Sequence, residues 1–252
     1  MSAMALELKS LGVSFGGFKA VDGVSLQVAE GELRVLLGAN GAGKTTLMDL
    51  VSGKTRSSEG RVELYGADVT NWPEYRVARA GIGRKFQIPS VFRELSVRQN
   101  LCVAATREPS IVRNLRWGFD RQDETRVDEI LALTGLESVQ QRQAADLSHG
   151  HTQWLELGLL IAQRPKVILL DEPTAGMTQA ETRKTAQILK ALRGRHTILV
   201  VEHDMAFVRD IAERITVLHL GRVLAEGSVA EIERDPRVRQ AYLGSHGIAS
   251  PC

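Results

Sequence analysis

Residues Gly38-Ala39-Asn40-Gly41-Ala42-Gly43-Lys44-Thr45 satisfy the spacing G-x-x-x-x-G-K-[ST], and the flanking sequence supplies what that spacing needs. A leucine-rich run, Leu33 to Leu37, precedes the glycines as a buried strand. Thr46-Leu47-Met48-Asp49-Leu50-Val51 follows with helical character. The glycines let the backbone curl so that successive N–H groups converge on phosphate oxygens. A helix starting near Lys44 turns its positive dipole end to the same anion. Lys44 can reach the β- and γ-phosphates, and the Thr45 hydroxyl can ligate Mg²⁺. Gly38 through Thr46 are therefore the expected contacts of a nucleoside triphosphate. A strand–loop–helix unit of this kind fixes the fold class as α/β.

Val167-Ile168-Leu169-Leu170-Asp171-Glu172 reads as a second buried strand ending in two carboxylates. Its end lies beside the phosphate loop, where Asp171 can hold the Mg²⁺ shell and Glu172 can orient or deprotonate the attacking water. Paired acids at a strand end are also an ordinary surface feature. Thr197–Val201 is a further apolar strand, followed by Glu202-His203-Asp204. His203 at that edge can donate to the γ-phosphate, although a lone histidine is often only a half-buried polar residue. Gln87, in Gly83-Arg84-Lys85-Phe86-Gln87, can contact Mg²⁺ or the attacking water and sense subdomain movement; alone it is uninformative.

Ser148, in Leu147-Ser148-His149-Gly150-His151, is a credible helix N-cap. The same geometry leaves a hydroxyl, a glycine N–H and a helix N-terminus free to bind an anion. Within one chain this segment does not readily reach a nucleotide held at Gly38–Thr45. A second copy docked head to tail would supply it.

The order of elements sets the organisation. Short strands at Leu6–Leu8, Val24–Val28, Leu33–Leu37 and Arg61–Tyr65 fill the first third. From Pro89 to about Pro165 the pattern turns helical, with apolar residues three and four apart in Ser96–Ala105 and Asp123–Thr134 and a third helix from Ser148. Strand Val167–Leu170, helix Thr178–Leu192 and strand Thr197–Val201 imply a parallel sheet. Ile215–Leu220 and Arg222–Ala225 form an expected hairpin about Gly221, and short helices finish the chain. The expected division of the 252 residues is a nucleotide-binding core at 1–87 and 166–235, a helical insertion at 88–165, and a terminal helix and tail at 236–252.

Composition limits the partners. With 32 basic and 30 acidic residues interspersed, the net charge of +2 gives no footprint for nucleic acid. No apolar stretch approaches the length of a membrane helix, and the start lacks the layout of a secretory signal. Two distant cysteines, Cys102 and Cys252, fit a reducing cytosol rather than a disulfide framework.

Taken in order, Phe15, Gly38–Thr45, Gln87, Leu147–Gly150, Asp171–Glu172 and His203 resemble the motifs of ATP-binding-cassette (ABC) subunits over nearly the whole chain. The resemblance implies a phosphate-loop cassette with an antiparallel β subdomain, a mainly parallel core sheet and an inserted helical subdomain. It implies ATP and Mg²⁺ as cofactors, with Thr45, Gln87 and Asp171 toward the metal. Glu172, His203, Lys44 and Gln87 would carry catalysis, and Ser148, His149 and Gly150 would act in trans. Phe15 would stack on adenine, with core packing as its alternative.

The implied partners are two transmembrane permease subunits, a second cassette (identical or paralogous) and, indirectly, a periplasmic solute-binding protein. The implied location is the cytoplasmic face of the inner membrane. Gly81–Gln87, Ala175–Thr178, Val201–Met205 and Ala241–Gly244 resemble the branched-chain amino acid and amide importers. Gly53–Arg56, Leu147–Gly150, Gln153–Glu156 and Val217–His219 are most similar to the urea importer ATPase. Branched-chain amino acid import is the alternative, and a cassette ATPase working on DNA or the ribosome a remoter one.

Two positions depart from the family pattern. His149 and His151 replace the third and fifth residues of Leu-Ser-Gly-Gly-Gln, and Met177-Thr178 stands where an aspartate is usual after Glu172.

Overall fold

The computed structural model describes residues 3–85, 91–106 and 121–243. They fall into two compact units: 3–82, 166–173 and 192–243 form one, and 83–85, 91–106, 121–165 and 174–191 the other.

The first unit holds two sheets. Strands β1 (Met4–Phe15) and β2 (Phe18–Ala29) pair antiparallel, and β4 (Glu59–Leu64) and β5 (Ala67–Asp68) extend them into a four-stranded sheet of order β2-β1-β4-β5. The six-stranded sheet is built on β3 (Leu33–Leu37), β7 (Val167–Asp171) and β8 (Thr197–Val201), which run parallel. Strands β9 (Arg214–His219) and β10 (Arg222–Gly227) continue one side, and the short β6 (Ile82–Arg84) ends the other, giving the order β10-β9-β3-β8-β7-β6.

All five residues of β3 and of β8 are buried, as are the first four of β7. Strands covered on both faces read as continuous apolar runs rather than alternations, which is why these three stand out in the sequence. The core joins Leu36, Leu169 and Leu199 of this sheet to Leu6, Leu8 and Leu26 of the other, with Leu47 and Met48 of helix α1 (Lys44–Ser52). Arg34 is 2% exposed inside β3 and is held by Glu32, Glu226, the Thr216 hydroxyl and the Gln27 carbonyl. The β9–β10 hairpin turns through Leu220 and Gly221, both at positive φ (47° and 77°), a combination that matches the twist of the flanking strands.

The remaining helices of this unit are short: α2 (Glu74–Ala80), α7 (Met205–Ile211), α8 (Val229–Arg234) and α9 (Pro236–Val238), which leads into a π-type turn at Arg239–Leu243.

In the second unit, α3 (Val97–Ala105), α4 (Arg121–Thr134) and α5 (His149–Ala162) pack on one another, and α6 (Gln179–Leu192) belongs here for most of its length. Ser96 caps α3 with a reciprocal capping box through Gln99. Buried Asn100 donates to the carbonyls of Phe92, Leu95 and Ser96 and accepts from the Phe92 N–H, fixing the segment that enters α3. No helix among the described residues is long and apolar enough to cross a membrane.

Candidate functional site

Strand register assembles one edge of the parallel sheet. Leu36 of β3 stands opposite Val201 of β8, and Val201 stands opposite Asp171 of β7. Strands β7 and β8 therefore end level, and β3 runs one residue further, to Leu37. Gly38, Glu172 and Glu202 leave the sheet side by side, with Glu172 N–H donating to Val201 O at 2.9 Å and Glu202 N–H to Leu36 O at 3.3 Å. Ligands of open α/β sheets bind at this carboxyl end.

The loop from Gly38 to Gly43 bends in ways that exclude side chains. Gly43, the N-cap of α1, has φ 99°, and a Cβ there would collide with the Ala20 carbonyl oxygen. A Cβ on Gly38 would strike the Leu218 carbonyl. Ala39, Asn40, Gly41 and Thr45 are exposed, Thr46 is half-buried and Ala42 is buried.

Lys44 is 8% exposed, and its Nζ donates to Gly38 O at 2.7 Å and Ala39 O at 3.0 Å. Burial lowers the Lys44 pKa, and the nearby carboxylates of Glu172 and Asp171 offset only part of that. An anion at this loop would add to the counter-charge of those two carboxylates.

Glu172 adopts φ 46° immediately after β7, a left-handed conformation that is uncommon for a side-chain-bearing residue and concentrates at functional sites. Its carboxylate is 42% exposed, and Oε1 lies 3.5 Å from His203 Nδ1. The His203 backbone N–H donates to Glu202 Oε2 at 3.1 Å, while the Glu202 side chain is 1% exposed. Glu202 carries no signal in the sequence, because an acid in a polar Glu-His-Asp run reads as surface.

Lys44, Asp171, Glu172 and His203 thus share one edge. Phe15 is 52% exposed at the end of β1, opposite Phe18, so core packing is excluded for it. Gln87 lies outside the described residues.

Ser148, His149 and Gly150 belong to the second unit. Ser148 caps α5, its Oγ accepting the His151 N–H at 3.3 Å and lying 3.1 Å from His151 Nδ1. His149 Nε2 is 3.1 Å from Ala175 O. A Cβ on Gly150 would collide with the Glu181 carboxylate, itself oriented by the Thr178 hydroxyl and N–H at 2.8 Å. Deeper in α5, the Trp154 Nε1–H donates to the Thr185 hydroxyl at 3.0 Å, and Lys184 Nζ sits 4.1 Å from the Trp154 ring centroid.

A family model described as ABC transporter matches residues 21–175. The chain belongs to the ABC transporter family. A second model, described as branched-chain amino acid ATP-binding cassette transporter, matches residues 222–248. The high-affinity branched-chain amino acid transport ATP-binding protein LivG of Salmonella typhimurium is 36% identical over 255 residues, covering 97% of this chain and 99% of its own. The ADP conformation of MJ1267, an ATP-binding cassette of an ABC transporter, superposes with a TM-score of 0.82 at 29% identity, over 96% of this chain and 99% of that one. A dimeric post-hydrolysis state of the cassette MJ0796, bound to ADP and Pi, matches at a TM-score of 0.73 and 25% identity, over 89% of this chain and 98% of that one.

This cassette therefore has the ABC fold, with its antiparallel β subdomain, mainly parallel core sheet and helical insertion. It is the ATP-hydrolysing motor of an ABC importer of the branched-chain amino acid branch.

Proposed function

We propose that two cassettes, this one and either a second copy or a paralogue, sandwich two ATP molecules head to tail. Each ATP is gripped by Gly38–Thr46 of one chain and completed by Ser148, His149 and Gly150 of the other. The clustering of Lys44, Asp171, Glu172 and His203 at one sheet edge carries this reading, since it supplies cation, metal ligand, base and γ-phosphate sensor together. The dimeric form of the relative MJ0796 supports the pairing.

Glu172 orients or deprotonates the attacking water, and Lys44 and His203 stabilise charge on the transferred phosphoryl. Phe15, exposed at the end of β1, stacks on the adenine. The donors offered to a metal, the Thr45 hydroxyl and the Asp171 carboxylate, are oxygens suited to Mg²⁺. Among the described residues no group of three or more His, Cys, Asp or Glu could hold a metal by itself. That fits an ion bound largely through phosphate and water oxygens. Gln87 is assigned to the same shell on sequence alone. Bound Mg²⁺ would neutralise charge on the β- and γ-phosphates.

Closing the sandwich moves two permease subunits at the cytoplasmic face of the membrane, fed by a periplasmic solute-binding protein, and hydrolysis reopens it. Branched-chain amino acids are the transported class best supported, by the name of LivG and the match over 222–248. Urea or a short amide is the second reading, favoured by the resemblance at Gly53–Arg56, Leu147–Gly150, Gln153–Glu156 and Val217–His219.

Ser148→Ala in the assembly isolated from its host through a tag on this chain tests the shared site, which requires a loss of ATPase at saturating Mg-ATP. Full activity would overturn it. In the same preparation, stimulation by leucine, isoleucine or valine with the cognate binding protein, rather than by urea, decides the solute.

A further inference from the structure

The hydroxyl of Ser148 has one proton to give, and in this chain a side chain three residues on competes for it. Ser148 Oγ lies 3.1 Å from His151 Nδ1 while already accepting the His151 backbone N–H at 3.3 Å. A serine hydroxyl has one donor and two acceptor sites, so the state of Nδ1 fixes what remains. With the ring neutral and protonated at Nε2, Nδ1 is an acceptor. The Ser148 proton then goes to His151, and only lone pairs face an arriving phosphate. With Nδ1 protonated, the ring donates to Oγ, both acceptor sites are filled, and the Ser148 O–H is released to donate to a phosphate oxygen.

We propose that His151 is a positioning residue that sets the direction of the Ser148 hydroxyl proton, so that Ser148 assists the partner-held phosphate only when Nδ1 carries a proton. The inference rests on the reading that Ser148 completes a site in trans. A glutamine, usual at this place in the family pattern, has no such protonation step.

The surroundings of His151 bear on how readily the proton arrives. Its ring meets Trp154 edge-on at 5.5 Å between centroids. Burial lowers the His151 pKa from the ordinary histidine value, as do Lys184 of α6 and Arg142 on the segment preceding α5; Glu181 of α6 opposes them. The neutral ring is therefore favoured near neutral pH in the isolated chain, and an arriving phosphate dianion adds the missing stabilisation of the cation.

The test is the ratio of wild-type to Ser148→Ala ATPase rates in the isolated assembly at saturating Mg-ATP, measured from about pH 5.5 to 8 across the histidine range. Both proteins carry His151, and its midpoint in each, read by NMR, corrects the ratio for the through-space charge of the ring. The ratio should fall about three- to tenfold as pH rises, a change of the size carried by one hydrogen bond in the transition state. In the His151→Gln background it should be flat. A ratio above one that does not change with pH overturns the role of His151 and leaves the shared site standing; a ratio of one at every pH overturns the shared site itself.

Nitrogen NMR of the imidazole supplies a readout free of activity. Ser148→Ala should change the neutral tautomer balance and the titration midpoint of His151. Identical Nδ1 signals in the two proteins would overturn the proposal even if His151→Gln fails to fold.

Discussion

His203 Nδ1 sits 3.5 Å from Glu172 Oε1, while the backbone N–H of the same histidine donates to the buried Glu202 carboxylate at 3.1 Å. One acid anchors the backbone that carries the histidine, and the other faces solvent beside its ring, where the proposed site would hold a γ-phosphate and its attacking water. The left-handed backbone of Glu172 turns that carboxylate off the end of β7. Glu172→Gln keeps the shape and removes the proposed base. Turnover should drop by about 10²–10⁴-fold with nucleotide affinity preserved. Steady-state ATPase and a binding isotherm check it; normal turnover would take Glu172 out of the mechanism.

Lys44→Ala separates binding from stability. The folded-state pKa of Lys44 is lowered, so its buried cation weakens folding at every pH below that value, and the weakening fades as pH rises from there toward the ordinary lysine value. Removing the lysine should leave Tm unchanged or slightly raised near neutral pH. ATP affinity should fall about 10–100-fold, as expected for loss of a charge-assisted contact. Thermal melts beside isothermal titration distinguish this from simple unfolding, and undiminished affinity would contradict the assignment.

Much of the fold was legible because the parallel strands carry little polar interruption. Leu33–Leu37 and Thr197–Val201 occupy the expected positions, and Val167–Asp171 runs one residue further than the apolar pattern. The alternation marks β1 only over Leu6–Leu8, whereas the strand spans Met4–Phe15. Irregular register between Leu8 and Ser14, with Ser10 at φ 48°, breaks the alternation on which the sequence reading relied. Helices Glu74–Ala80 and Met205–Ile211 escaped notice because seven residues give too few apolar repeats for a helical period. At the candidate site the motif residues stand out in the sequence, whereas Glu202, which holds the backbone N–H of its neighbour His203, does not. Away from that site, the burial of Arg34 depends on Thr216 and Glu226, which are distant in sequence.

Phe15→Ala probes the adenine contact. The ring is half-exposed and lies outside the core, so its loss should leave Tm within a few degrees. If it stacks on the base, ATP affinity should weaken by about 1–3 kcal/mol, the range for aromatic–base stacking. GTP and ATP titrations on both proteins measure it, and unchanged affinity would remove Phe15 from the site.

Arg34→Ala should be among the more damaging substitutions far from the nucleotide. It would strip partners from Glu32, Glu226 and Thr216 and open a void in β3. A loss of about 3–5 kcal/mol is expected for breaking a buried ion network from one side. Arg34→Met, which refills the volume, should lose less. Denaturant unfolding compares them, and equal stability of both variants with wild type would contradict the role given to the network.

In the proposed assembly each nucleotide is finished by the neighbouring subunit. A structure of the Glu172→Gln assembly with Mg-ATP and its companion cassette tests this. Ser148 of one subunit is predicted within hydrogen-bond distance of the γ-phosphate held at Gly38–Thr45 of the other. A closed, ATP-filled assembly in which Ser148 stayed far from every γ-phosphate would contradict it.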